Sequence, residues 1–199
     1  EASKKGVEPN YKLIEQFASE CFMPLSYGGG VNSLSQAKKI FSLGVEKIAI
    51  QSACYKNSTF VKDLSDYFGS QSIIVSIDIK RNWLGKYGIF SKTINKLKIK
   101  NWKEFLIEVA RQGAGEILIN SVNKDGTLTG PDLNLIKSLN GLIDIPIIYS
   151  GGVSNLDDMK NVIDNGASAV AAGAFFVFKG PRKAVLISYP NYEDLEKIF

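Results

Sequence analysis

Two short runs, Gly28-Gly29-Gly30 and Ser150-Gly151-Gly152, stand where a β-branched stretch ends and an amphipathic one begins. Glycines in that place let backbone N–H groups close on an anion, and the helix that follows adds a favourable N-terminal dipole. A tight strand-to-helix turn uses the same residues, so one such run alone decides nothing. The two runs, however, occupy the same point of an internal repeat. Residues 24–53 align without a gap on residues 146–175, an offset of 122, with nine of thirty positions identical, among them Tyr27/Tyr149, Gly29/Gly151, Gly30/Gly152 and Gly44/Gly166. In a parallel sheet the next strand ends, Gln51-Ser52 and Gly173-Ala174, fall beside the glycine runs. Two matched pockets therefore predict a substrate with a phosphate at each end. Gly29, Gly30, Gln51 and Ser52 would hold one, and Gly151, Gly152, Gly173 and Ala174 the other, with Gly126 and Thr127 extending the second.

Asp78 closes the apolar run Ile73-Ile74-Val75-Ser76-Ile77, which puts a carboxylate at the C-terminal end of a strand, where barrel enzymes carry their chemistry. General acid or base work is the functional reading; a helix cap, or an ion pair with Lys80 or Arg81, is the structural one. Asp125 sits in the turn-like Asn123-Lys124-Asp125-Gly126-Thr127, where a turn-forming aspartate is equally at home. Lys47 and Glu116 open their strands and so belong to the opposite rim, where ion pairing is the default. The Lys-rich residues 81–100, with Trp83 and Tyr87 among them, read as a lid or a solvated hairpin.

These residues need a scaffold, and the periodicity supplies one. Apolar runs at residues 23–27, 47–50, 73–79, 116–120, 145–149 and 169–172 alternate with helical patterns at 10–21, 33–43, 57–68, 102–112, 132–139 and 155–165. That order predicts an α/β fold of βα units. A repeat of about 122 residues is half of a (β/α)8 barrel, which runs to ~250 residues. The expectation is one barrel domain over residues 1–199, holding strands three to eight of a TIM barrel with strands one and two absent.

Composition narrows the chemistry. The chain has 199 residues, 45% hydrophobic and 22% charged, with a formal charge of +4, two cysteines and no histidine. A histidine-based relay or metal site is excluded, and Cys21 and Cys54 make neither a disulfide framework nor a zinc set. No metal or cofactor is expected. The mild, dispersed charge suits a small anionic substrate and lacks the basic, aromatic layout of a nucleic-acid surface. No run of about 20 apolar residues or signal-peptide pattern appears, so the reading is cytoplasmic, without membrane or nucleic-acid partners.

Tyr27-Gly28-Gly29-Gly30, Phe68-Gly69-Ser70-Gln71, Ser76-Ile77-Asp78-Ile79-Lys80, Gly113-Ala114-Gly115-Glu116-Ile117-Leu118, Asp125-Gly126-Thr127 and Ser150-Gly151-Gly152 together resemble the cyclase subunit of imidazole glycerol phosphate synthase, the HisF family. The resemblance implies an ammonia-dependent lyase of histidine biosynthesis, part of a glutamine amidotransferase complex. A glutaminase docks at the barrel's N-terminal face, and its ammonia crosses the interior to a bisphosphate aminoimidazole precursor. Asp78 takes the role of the fifth-strand aspartate of an acid/base pair, and the partner belongs to the first strand, so this chain alone is expected to be inactive. Asp125 joins the second phosphate site, and Lys47 and Glu116 take two of four positions that gate ammonia entry. Gln51, Asn123 and Tyr149 depart from the family pattern. The tail, residues 180–190, is similar to a divergent branch associated with surface-polysaccharide genes, which gives an alternative: an ammonia-channelling partner of a sugar amidotransferase that makes acetamidino groups. A sister sugar-phosphate isomerase shares the half-barrel repeat, but the Gly113–Leu118 and Asp125–Thr127 runs fit the cyclase better.

Overall fold

The computed structural model describes residues 7–91, 101–180 and 182–198. Six parallel strands follow one another across a single open sheet in chain order: β1 (Ser26–Gly28), β2 (Lys47–Ile50), β3 (Ile73–Arg81), β5 (Glu116–Ser121), β6 (Ile147–Ser150) and β7 (Ala169–Ala171). A short β4 (Tyr87–Ile89) folds back antiparallel on β3. The connecting helices are α1 (Tyr11–Glu20), α2 (Leu34–Ser42), α3 (Ser52–Lys56), α4 (Phe60–Phe68), α5 (Trp102–Arg111), α6 (Leu133–Lys137), α7 (Leu156–Asp164) and α8 (Ala174–Val177). A two-stranded hairpin, β8 (Phe178–Lys179) with β9 (Ala184–Val185), and α9 (Tyr192–Glu196) complete the chain. The sheet is the curved parallel sheet of a (β/α) barrel, with β1 and β7 at its two ends.

Side-chain alternation explains why this sheet has one dry face and one functional face. Ile48 and Ile50 on β2, Ile73, Val75, Ile77 and Ile79 on β3, and Ile117 and Ile119 on β5 are all but completely buried under the helices. Burying each such side chain is worth about 2 kcal/mol of transfer free energy. The alternate positions, Ala49, Ile74, Ser76 and Leu118, line the cavity on the opposite face. Helix starts are set by side-chain caps: Asn10, Ser33, Asn101, Asp132 and Asn155 each accept a hydrogen bond from the backbone N–H three residues on.

The repeat is a repeat of structure. α2 and α7 begin and end at positions 122 apart, their caps Ser33 and Asn155 do the same work, and the β1–β2 register Ser26↔Lys47 recurs as Ile148↔Ala169 between β6 and β7.

Several boundaries differ from the sequence expectation. β1 forms over Ser26–Gly28 rather than from residue 23, because among the described residues it pairs with β2 alone and Phe22 and Met23 are exposed. The helix expected from residue 57 begins at Phe60, and α3 precedes it in a stretch read as a loop. Of the stretch 81–100, the described part is a hairpin: β4 returns onto β3, and Arg81 Nε donates to the Gly85 carbonyl at 3.2 Å. Residues 92–100 lie outside the described residues. Among the described residues no helix is long and apolar enough to cross a membrane.

Candidate active site

Both glycine turns open at the C-terminal rim of the sheet. The first lies where β1 ends and joins Gln51 and Ser52, at the end of β2, in a cavity of about 820 Å3 lined also by Asn32, Lys56, Ile74, Ser76 and Leu118. Gly29 and Gly30 have φ of 133° and 76°, values that favour glycine, and the Tyr27 hydroxyl donates to the Gly29 carbonyl at 3.0 Å. Lys56 brings a positive charge to the rim of this cradle. The second, tighter cradle is a cavity of about 20 Å3 formed by Asp125, Gly126, Leu128, Ser150, Gly151, Gly152, Val153, Ala171, Ala172, Gly173 and Ala174. Gly151 and Gly152 again have positive φ, 117° and 87°. A Cβ on Gly152 would run into the Gly130 carbonyl oxygen and approach Lys124 Cβ to 3.0 Å, so no other residue fits there.

Thr127 stands apart from that lining. Its hydroxyl donates to the Lys124 carbonyl at 2.7 Å and shares a hydrogen bond of 2.9 Å with Thr129 Oγ1, holding the turn from inside. Asn123 is engaged with β3: its Oδ1 accepts from the Arg81 backbone N–H at 2.8 Å, and its Nδ2 donates to the Arg81 carbonyl at 3.3 Å. A carboxylate accepts only and could not make both bonds.

Asp78 lies between the two cradles, on β3, third of the six parallel strands. It is 6% exposed, and Oδ1 accepts from Asn120 Nδ2 at 2.8 Å. Neither structural alternative applies: Asp78 caps no described helix, and among the described residues it forms no ion pair with Lys80 or Arg81. Its register partners on successive strands are Asn120, Ser150 and Ala171, the last two being part of the second cradle. Four inter-strand steps of ~4.8 Å separate the cradles, roughly 19 Å measured along the curved sheet. A single ligand touching both must therefore be extended, with an anionic group at each end.

Lys47 and Glu116 form an ion pair at the opposite end of the same face. Glu116 is level with Ile74, four residues below Asp78, or about 13 Å of strand. Ile74, Ser76 and Leu118, which line the large cavity, fill the interval.

Two polar features escaped the sequence reading. Asn120 closes the strand expected over 116–120; its signal is a polar residue at every-other-residue spacing from Glu116 and Leu118. Tyr149, a repeat identity with Tyr27 and a departure from the family pattern, points to the dry face, where its fully buried hydroxyl accepts from the Asp132 N–H at 2.7 Å. Asp132 in turn accepts from the Tyr87 hydroxyl at 2.9 and 3.0 Å, which ties the β3–β4 hairpin to α6 and β6. Burial, followed by the hydrogen bond to Asp132, pushes the Tyr87 phenol up to about 12. Cys21 is exposed and Cys54 buried, and they are not paired.

The family model described as "Histidine biosynthesis protein" matches residues 1–181. Among the similar proteins are three provisionally named imidazole glycerol phosphate synthase subunits. That of Leptospira borgpetersenii is 46% identical, with 100% of this chain and 79% of the relative aligned. That of Leptospira interrogans is 43% identical over the same shares. That of Pseudomonas aeruginosa is 40% identical, with 98% of this chain and 78% of the relative aligned.

Proposed function

The chain belongs to the histidine biosynthesis protein family, and from that premise we propose that it is the ammonia-using cyclase subunit of imidazole glycerol phosphate synthase. The observation that carries this reading is the pair of anion cradles, related by the repeat, at one rim of the sheet with a buried carboxylate on the strand between them. The substrate is then a bisphosphate aminoimidazole precursor stretched across the rim. Gly29, Gly30, Gln51 and Ser52 hold one phosphate; Asp125, Gly126, Gly151, Gly152, Gly173 and Ala174 surround the other. Asp78 acts as one member of an acid/base pair at the centre of the ligand, where ring closure takes place.

Ammonia comes from a glutaminase subunit docked at the N-terminal rim, in the cytoplasm. The Lys47–Glu116 pair stands at that rim and about 13 Å below Asp78, so it is the gate through which ammonia reaches the carboxylate. The ion pair is partly exposed, so its contribution to stability is small, at ~0–1 kcal/mol, and gating is the better account of two charges on this face.

The test uses the protein as its gene encodes it, supplied with the bisphosphate precursor and an ammonium salt. Formation of imidazole glycerol phosphate, abolished in Asp78→Asn, is the expected result. Absence of turnover together with failure to restore growth of a histidine auxotroph would overturn the reading in favour of the ammonia-channelling adaptor.

A further inference from the structure

Asn120 occupies the position beside Asp78 on the ligand-facing side of β5, and the order of its two amide ends can be fixed by chemistry. Its neighbour at 2.8 Å is a carboxylate oxygen. An ionised carboxylate only accepts hydrogen bonds, so the NH2 end faces Asp78 and the carbonyl end is turned away. That carbonyl, Oδ1, is buried and has no hydrogen-bond partner among the described residues. A buried unmatched acceptor lowers stability, and a leucine, which has the same branched shape, would remove that carbonyl. Packing therefore does not account for an amide here; only its donor end does useful work, and that end is spent on Asp78. Asn120 is also the register neighbour of Ser150, which borders the second cradle. It is thus the side chain that stands between the carboxylate and that cradle.

We infer that Asn120 is a positioning residue for Asp78: its NH2 group holds Oδ1, fixes the plane of the carboxylate, and leaves Oδ2 to exchange a proton with the ligand. The inference rests on the reading of Asp78 as an acid/base group. Three other ionisable groups bear on the pair. Tyr55 on α3 has its phenol raised by burial, then by Cys54 and Asp78. Cys54, beside it, has its thiol raised to about 12, chiefly by burial. Lys80, on the same face of β3, has its ammonium group 5.0 Å from the Phe90 ring centroid. Raised phenols and thiols titrate above the range that two neighbouring carboxyls cover.

Two variants of the gene-encoded protein test this. Asn120→Leu removes the donor and the unmatched carbonyl together. It is expected to lower turnover about 100-fold, the effect of a displaced catalytic group, while bisphosphate affinity stays within about 3-fold. Asn120→Asp puts two carboxyls within hydrogen-bond distance, so that they share one proton and the second ionisation is suppressed. Its folded-state carboxyl is raised above the unfolded value of about 4, so both rate and melting temperature should fall, relative to wild type, as pH rises from about 4 to 8. A role confined to packing would leave turnover by Asn120→Leu near wild type, whereas the melting profile of Asn120→Asp tests the contact itself. Turnover by Asn120→Leu within 3-fold of wild type, or melting curves for Asn120→Asp that parallel wild type at every pH, would overturn the inference. An inactive wild type would sink the cyclase reading instead, and the melting curves would then still decide the contact.

Discussion

Replacing Gly173 by alanine separates ligand binding at the second cradle from the stability of the fold. Gly173 lines that cradle, has φ of −102°, and has no heavy atom within 4 Å of the place a Cβ would take. Alanine adopts this backbone without strain, so the loss of unfolded-state freedom should stabilise the protein by about 0.4–1 kcal/mol. The cradle, however, is built from backbone that a bound anion must approach closely. A methyl group on its wall takes the room an anionic oxygen needs. The expectation is at least a tenfold loss of affinity for a bisphosphate ligand, or about 1.4 kcal/mol, with an unchanged or higher melting temperature. Gly152→Ala is the contrasting control. Its φ of 87° and the collision with the Gly130 carbonyl should cost stability as well as affinity, with backbone strain alone at about 1–3 kcal/mol. Isothermal titration and thermal melts of the two variants decide the matter. Wild-type affinity in Gly173→Ala would refute the assignment of the cradle, and a lowered melting temperature there would refute the steric reasoning.

Asp78→Asn, which keeps shape but not charge, should lower turnover by about 10²–10⁴-fold and leave bisphosphate affinity within a few-fold, measured by steady-state kinetics and titration; full activity would remove Asp78 from the chemistry. Glu116→Gln should weaken glutamine-driven turnover while sparing turnover on added ammonium, compared in the complex with the glutaminase, and equal losses on both would argue against a gate. Tyr87 has a folded-state phenol raised to about 12 from 10.0, so the stability it contributes is complete below pH 10 and is lost as pH rises toward 12. Tyr87→Phe should flatten the decline of melting temperature across that interval, and an unchanged slope would count against the Tyr87–Asp132 contact.

The strands were legible because a parallel sheet covered on one face demands β-branched residues there, and Ile73, Val75, Ile77 and Ile79 supply them in sequence. The paired cradles were legible for a different reason: positive φ and close backbone approach leave glycine alone at Gly152, and duplication repeats the demand 122 residues apart. Short elements were not. α3 and α8 are five and four residues long, too short to carry a helical period, and their residues show only the pattern of strand-end loops. β4 spans three residues and exists because β3 outruns β2, whose register with it ends at Ile50↔Val75. The Tyr87–Asp132–Tyr149 chain joins residues 17 and 45 apart in sequence, a separation no local pattern reports. Asn120 could have been found, since a polar side chain on the cavity-facing register of β5 stands out once the dry face is known. The facing pattern and not the composition of the strand carries that signal.

The most direct measurement is a crystal structure with an extended bisphosphate bound. One phosphate is expected in the turn of Gly29 and Gly30 beside Gln51 and Ser52, the other in the turn of Gly151 and Gly152 beside Gly173, and the body of the ligand over Asp78. Phosphates seated at any other pair of positions, or a ligand that leaves Asp78 uncovered, would contradict that placement.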